Sequence, residues 1–263
     1  GGDPASIPDL TYEDYLAFHK KYYHPSNSYL YLYGNMNMEE KLNWIDENYL
    51  SHFEKIEVDS EVRLQKPFAE RKEEYGFYSV TEGEDTEGKA YFSYNTVCGD
   101  GLDRNLYRAF PVLSYVLVQS IGAPLKQALL DAGIGNDISC YYEESVRQPF
   151  FSIIAKNVKM EQKQQFITVI ETELKKIVKE GLNQQSLLAA INGYEFQYRE
   201  ADFGNFPKGL MYGLQIFDSW LYDENKPFIH IQANDTFAFL KKQVGTDYFE
   251  KIIEKYLLKN PHA

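Results

Sequence analysis

Histidines are the side chains of this sequence best suited to bind a metal ion or to transfer protons. The chain has five of them, at His19, His24, His52, His230 and His262. His19 and His24 are close in sequence, but five positions place them about 140° apart around a helix, so they cannot share a metal ion as an i, i+4 pair would. Neither an HExxH motif nor the inverted HxxEH motif occurs. We therefore expect structural or solvated histidines, no metal ligand and no catalytic residue in this chain.

Other signatures of catalysis or nucleotide binding are missing as well. The sequence contains no GxSxG elbow, no P-loop and no GxGxxG motif. Gly133 and Gly135 open a predicted strand, whereas a nucleotide-binding fingerprint needs a helix at that place. The acidic run at residues 82–87 predicts a solvated turn between two strands. Carboxylates are numerous, but their linear spacing indicates no catalytic pair.

Composition and charge limit the possible partners. Hydrophobic residues make up 44% and aromatic residues 16% of the 263 residues, which supports a large core and excludes disorder. The formal net charge of −12 would repel a phosphate backbone, so we expect no nucleic-acid partner. An acidic surface favours basic peptides, although a generic acidic protein would carry the same charge. Because no run of about 18 apolar residues occurs, we expect no membrane partner.

The two cysteines, Cys98 and Cys140, fit neither a CxxC motif nor a disulfide framework. We interpret both as reduced residues of the core or of a strand. This interpretation favours the cytoplasm or another reducing compartment, and an organelle remains open.

The remaining elements are organised around residues 110–155. Apolar residues recur there at helical spacing and predict a stripe that faces the core, formed by Phe110, Leu113, Leu117, Val118 and Ile121. The sequence Gly122-Ala123-Pro124 interrupts the period, and a second short helix follows until Gly133. Gly135 allows the chain to turn into a strand, and strands at residues 137–143 and 150–156 form a predicted hairpin.

The flanking sequence predicts further strands and a long helical tail. Strands are predicted at residues 28–34, 73–80 and 89–97, and Thr11, Asn37 and Asn183 are predicted helix N-caps. Helices are also predicted at residues 161–180, 235–243 and 247–259. This order predicts an α+β fold in which an antiparallel sheet is packed against helices.

Two stretches resemble the insulinase/pitrilysin family of zinc metallopeptidases. Residues 10–36 (LTYEDYLAFHKKYYHPSNSYLYLYGNM) resemble the capped helix, Tyr-Tyr-x-Pro-x-Asn turn and apolar strand that follow the metal-binding part in that family. Residues 122–139 (GAPLKQALLDAGIGNDIS) are similar to the loop, short helix and strand of its second homologous domain. Residues 1–27 are similar to the presequence-protease subfamily, whose members degrade short unstructured peptides inside a closed chamber.

The resemblance implies that the chain is a fragment of a longer polypeptide. It implies that residues 1–56 end a catalytic domain without its zinc motif, residues 57–74 form a linker and residues 75–263 form a second, non-catalytic domain of the ferredoxin-type sandwich. The HxxEH helix would lie upstream, so the resemblance implies zinc in the intact parent and no cofactor in this chain. The implied partners are the upstream catalytic part, the downstream second half and peptide substrates.

In relatives, the second domain helps to form the chamber wall, and an edge strand anchors the N-terminal part of the substrate. The resemblance assigns this peptide-binding surface to Gly122, Ala123, Pro124, Asp137, Ile138, Ser139, Cys140, Tyr141 and Tyr142. An exposed strand edge offers unpaired N–H and C=O groups to an extended peptide, and tyrosines add apolar surface with a polar tip. Cys140-Tyr141-Tyr142 is bulkier than the glycine-rich strand of relatives. A strand edge that is only covered by the partner half is the alternative.

We therefore expect a non-catalytic fragment of a zinc metalloendopeptidase, inactive alone, that contributes chamber wall and a peptide-anchoring strand edge. The alternative is a stand-alone scaffold or peptide-binding subunit of the same family. A hydrolase with an unrecognised site is a third alternative, and it would require the purified chain to cleave peptides without metal.

Overall fold

The computed structural model describes residues 3–263, which divide into two compact units after Arg63. The first unit contains helices α1 (Tyr12–Tyr22) and α2 (Met38–Asn48). Both predicted N-caps are confirmed, because Thr11 Oγ1 accepts the Asp14 amide at 3.1 Å and Asn37 Oδ1 accepts the Glu40 amide at 3.2 Å.

Apolar side chains of the first unit remain exposed to solvent. No residue between positions 3 and 63 is buried, and Phe18 and Trp44 are 57% and 62% exposed. The predicted strand at residues 28–34 is wrong, since the structure assigns no strand there. The physical reason is the lack of a neighbour: a strand needs a second strand for its backbone groups, and the described part of this unit contains none.

The second unit contains a three-stranded antiparallel sheet of order β1-β3-β2. Its strands are β1 (Ala90–Val97), β2 (Asp137–Glu143) and β3 (Phe150–Val158). The predicted hairpin is confirmed, with Ser139 opposite Ile154 and Tyr141 opposite Ser152. The predicted strand at residues 73–80 is wrong, because a groove separates this segment from β1 and keeps the two backbones apart.

Helices account for most of the second unit, and their order confirms the α+β fold with an antiparallel sheet packed against helices. The helices are α3 (Arg104–Ser114, continued by a π-helical turn Tyr115–Gln119), α4 (Pro124–Asp131), α5 (Lys163–Glu180), α6 (Gln184–Glu200), α7 (Lys208–Trp220), α8 (Asn234–Gln243) and α9 (Tyr248–Ile252, continued by a π-helical turn Ile253–Leu258). Asn183 caps α6 as predicted, accepting the Ser186 amide at 2.9 Å. Within residues 3–263, no helix has both the length and the apolar character needed to cross a membrane.

The core of the second unit includes the contact between α3 and the sheet, together with buried residues of α5, α6, α8 and α9. Phe110 is fully buried and stacks on Tyr142 of β2, with ring centroids 5.0 Å apart. The predicted core stripe is confirmed for Phe110, Leu113, Leu117 and Val118, all of which are buried. It is wrong for Ile121, which is 107% exposed because the helical path ends at Gln119 and the chain turns away before Gly122.

Candidate functional site

Backbone directions in the sheet follow from the contacts of Val97 at the end of β1. The Val97 amide donates to the His262 carbonyl at 3.0 Å, and the Val97 carbonyl accepts from the side-chain amide of Asn260 at 2.7 Å. Val97 therefore points both backbone groups away from β3. Because successive residues of a strand point to alternate sides, the β3 residues that bond to β1 are Phe151, Ile153 and Ala155.

The other β3 residues bond to β2, and this determines which backbone groups of β2 are free. Ser152 and Ile154 face Tyr141 and Ser139 of β2. By the same alternation, β2 points the backbone groups of Ile138, Cys140 and Tyr142 away from the sheet. Across residues 3–263, these groups have no backbone hydrogen-bond partner. The outer edge of β2 thus presents three residues to which another strand could pair.

The side chains along β2 alternate between the core and the outer face of the sheet. Ile138 and Tyr142 are buried, whereas Asp137 and Tyr141 are exposed, Tyr141 by 51%. Tyr141 O–H donates to the Glu143 carboxylate, and Asp137 pairs with Lys156 at 3.3 Å. The edge therefore combines free backbone groups with one exposed tyrosine and two carboxylates.

The loop Gly122-Ala123-Pro124 lies after the turn that contacts the middle of β2. The Gln119 side-chain amide donates to Cys140 Sγ at 3.6 Å, and the Cys140 thiol donates to the Ser114 carbonyl at 3.6 Å. Ala123 accepts the Gln127 amide at 2.9 Å, and Pro124 is the first residue of α4. Gln119, three residues before the predicted loop, thus contacts Cys140 of the predicted strand. The sequence did not reveal this contact.

Burial raises the pKa of several titratable groups near this edge. Burial raises the pKa of the Cys140 thiol to about 11 and that of Cys98 to about 12, so both thiols are protonated at neutral pH and neither is a ready nucleophile. Burial also raises the pKa of Glu144, just beyond β2, to about 6. Glu144 has Asp218 nearby, whose pKa burial also raises and whose carboxylate accepts the Tyr107 hydroxyl at 2.7 Å.

The histidines occupy separate structural environments and do not fit a zinc site. Among residues 3–263, no group of three or more His, Cys, Asp or Glu side chains is arranged to hold a metal ion. His230 is buried against Tyr107 at 3.7 Å, and burial lowers its pKa to about 4. His262 packs on Phe68 at 4.6 Å, and His24 Nδ1 accepts the Ser26 amide. No step of zinc chemistry is therefore assigned to the residues of this chain.

Sequence comparison gives one family and several long relatives. Residues 9–194 match the family described as peptidase M16 inactive domain. The chain is 44% identical over 263 residues to protein HypA of Clostridium perfringens and 32% identical over 270 residues to presequence protease 1, chloroplastic/mitochondrial, of Arabidopsis thaliana. Each alignment covers 100% of this chain, but only 27% and 25% of the respective relative, so the chain spans about a quarter of their length.

Solved structures with low sequence identity share the fold. A peptidase M16 inactive domain from Pseudomonas fluorescens has a TM-score of 0.62 at 15% identity, covering 96% of this chain and 56% of that one. A protease from Helicobacter pylori has a TM-score of 0.61 at 17% identity, covering 99% of this chain and 59% of that one. These similarities support the α+β architecture described above.

Proposed function

The chain belongs to the peptidase M16 family as an inactive domain of the presequence-protease type, and from this premise we propose that it anchors extended peptides along the outer edge of β2. The membership confirms the resemblance noted at residues 10–36 and 122–139. In the proposed role, the domain contributes part of a chamber wall and holds a peptide while a separate catalytic part cleaves it.

The observation that carries the proposal is the row of free backbone groups on Ile138, Cys140 and Tyr142. An extended peptide can add to such an edge as a further strand, because its own N–H and C=O groups match the spacing of the row. Tyr141 offers exposed aromatic surface to a peptide side chain. Glu143 at one end of β2 favours a peptide with a basic residue, whereas Asp137 at the other end is already paired with Lys156.

We further propose that the catalytic part lies upstream in a longer polypeptide, with a second half downstream. The chain spans about a quarter of its curated relatives, and α1 and α2 have apolar faces without any buried residue. Such faces are typical of elements whose packing partner is another part of the protein. In this proposal residues 1–56 end the catalytic domain, residues 57–74 are the linker and residues 75–263 are the non-catalytic domain.

In this proposal, the HxxEH helix of the upstream part would hold zinc, and zinc would supply Lewis-acid chemistry for peptide hydrolysis there. The residues of this chain bind and orient the peptide. We propose a reducing compartment for the protein, since Cys98 and Cys140 are free thiols.

A binding experiment with matched edge variants tests the anchoring role. A fluorescently labelled, unstructured basic peptide is titrated with the purified chain, and its anisotropy is measured. Cys140→Pro removes an outward N–H from β2, and we expect binding to weaken at least tenfold. Ser93→Pro removes an outward N–H from β1 and is the control, with binding expected to be unchanged. Equal binding by both variants and the parent chain would refute the proposal.

A second variant keeps the test valid if Cys140→Pro does not fold. Tyr141→Ala removes an exposed side chain without changing the ladder, and we expect binding to weaken several-fold while the unfolding temperature stays constant. A peptide that binds Tyr141→Ala as tightly as the parent chain would place the contact elsewhere.

A further inference from the structure

A groove of about 910 Å³ runs along the free edge of β1, on the opposite side of the sheet from the β2 edge. One side of the groove is β1, and the other side is the segment at residues 71–78. Phe166 and Ile167 of α5 contribute apolar lining, and Tyr75 and Tyr91 contribute aromatic rings. The groove therefore lies between the edge strand β1 and a segment that belongs to no helix or strand.

The β1 side of the groove offers unpaired backbone groups. Val97 points away from β3, so Asn95, Ser93 and Tyr91 also point their N–H and C=O groups into the groove. In the part of the chain that the structure describes, these three residues have no backbone partner on that side. Unpaired ladder groups of this kind are a template for one more strand.

The last residues of the chain make backbone hydrogen bonds to both sides of the groove at one of its ends. The His262 carbonyl accepts the Val97 amide at 3.0 Å, and the Ala263 carbonyl accepts the Lys72 amide at 3.0 Å. Residues 260–263 are thus held between the end of β1 and the opposite segment. Ala263 and Asn95 both line the groove, so the chain runs past Val97 toward Asn95, antiparallel to β1.

Side-chain contacts hold the two sides of the groove in place at both ends. At the end near Ala263, Arg71 pairs with Glu171 of α5 and donates to the Leu258 carbonyl at 3.1 Å. Farther along the segment, Lys163 of α5 pairs with Glu73 at 2.7 Å and donates to the Tyr75 hydroxyl at 2.7 Å. At the other end, the Tyr78 hydroxyl donates to the Lys89 carbonyl. Specific side-chain interactions therefore border the groove.

We propose that the residues following Ala263 in the longer polypeptide fill this groove as a strand antiparallel to β1. The edge from Val97 to Tyr91 is about 20 Å long at ~3.3 Å per residue, which corresponds to a strand of about seven residues. The new strand would run parallel to residues 72–78 and would supply the partner that this predicted strand lacks. This inference rests on the proposed function only in assuming that the chain belongs to a longer polypeptide.

The choice of this occupant over others rests on continuity. A second copy of the chain or a separate peptide would have to enter beside Ala263, where the chain's own end already bonds to Val97 and Lys72. The following residues need no association step, because they are covalently attached at the mouth of the groove. Their effective concentration there is that of an intramolecular contact.

Hydrogen exchange tests the inference on two versions of the protein. One version ends at Ala263, and the other continues for the next twelve residues that its gene encodes. We expect amide exchange of Ser93 and Asn95 and of residues 73–80 to slow at least tenfold in the longer version. The outward amide of Cys140 on β2 is the internal control, with unchanged exchange. Identical exchange at Ser93 and Asn95 in both versions would overturn the inference.

Proline variants identify the pairing surface. In the longer version, Asn95→Pro removes one bond to the added strand, and we expect the protection of residues 73–80 to be lost. In the version that ends at Ala263, the same change should leave the exchange of residues 73–80 unaltered. Unchanged slow exchange of the amides of α5 shows that the variant folds. Ser93→Pro serves the same purpose if Asn95→Pro fails to fold.

Other occupants would give different results. If the groove holds a second copy, protection appears in the shorter version and increases with protein concentration, and the inference fails. If it holds a separate peptide, an added unstructured peptide protects Ser93 in the longer version, and the inference fails as well. Loss of peptide binding at the β2 edge would refute the proposed function alone, because it leaves exchange along β1 unaffected.

Discussion

The carbonyl oxygen of Lys156 lies 2.5 Å from the point where a β-carbon would stand on Gly135. Gly135 has φ +62°, a region that side chains with a β-carbon rarely adopt. This close approach lies where β2 begins to pair with β3. The next residue, Asn136, donates its amide to the same Lys156 carbonyl at 3.2 Å. The position of β2, and with it the proposed peptide edge, therefore depends on one glycine.

Replacing Gly135 tests this dependence. Gly135→Ala combines left-handed backbone strain with a steric clash, so we expect the free energy of unfolding to fall by about 3 kcal/mol. Gly133 has φ +68° but open space around it, so Gly133→Ala is the matched control, with an expected loss of about 1 kcal/mol. Urea denaturation measures both. Equal losses would show that the contact with Lys156 is unimportant.

Glu144 should make stability depend on pH between about 4.5 and 6. Burial raises its pKa in the folded state from the ordinary 4.5 to about 6, so the folded protein binds the proton more tightly than the unfolded chain. Stability therefore falls as pH rises through this window. We expect Glu144→Gln to stabilise the protein at pH 7.5 by at most about 2 kcal/mol and to have little effect at pH 4. Thermal unfolding at both pH values checks this, and a constant difference would contradict it.

Glu171 should have the opposite dependence. A hydrogen bond from Arg71 lowers the pKa of Glu171 below its ordinary 4.5, so the pair stabilises the fold above that pH and the contribution is lost as pH falls through the lowered pKa. We expect Glu171→Gln to cost about 1 kcal/mol at pH 7. In acid the variant and the parent chain should unfold at the same temperature. A deficit that persists in acid would assign the loss to packing instead.

Trp44 tests the proposal that the first unit packs against an upstream part. The side chain is 62% exposed on α2, so Trp44→Ala should change the free energy of unfolding of this chain by less than about 0.5 kcal/mol. In the longer polypeptide the same change should cost about 3 kcal/mol, because it would remove a buried aromatic side chain. Chemical denaturation of both proteins measures the difference. A small effect in both would argue against packing of α2 on the upstream part.

Zinc content separates the proposed role from a hidden active site. The purified chain is dialysed against zinc and then against buffer, and its metal content is measured by elemental analysis. We expect less than one zinc per ten chains, since no described group of donors is arranged for a metal. Stoichiometric zinc, or cleavage of a peptide by the chain alone, would refute the assignment of this domain as non-catalytic.

Features that depend on neighbours in sequence could be predicted from the residues alone. Thr11, Asn37 and Asn183 cap the helices that follow them, because each side chain bonds to an amide three residues ahead. The β2–β3 hairpin was predictable for the same reason, since a short turn joins its strands. The resemblance to the family also came from short, local motifs at residues 10–36 and 122–139.

Features that depend on distant residues were decided by the tertiary structure. Residues 28–34 and 73–80 have the composition of strands, but a strand forms only where another backbone lies beside it, and no local pattern encodes that partner. Ile121 continues an apolar period yet is exposed, because the helix before it ends. Likewise the sequence determined that residues 137–143 form a strand. The order β1-β3-β2 decided that the backbone N–H and C=O groups of Ile138, Cys140 and Tyr142 lie at the outer edge of the sheet. Hydrogen bonds between distant strands define a sheet edge, and these exist only once the chain has folded.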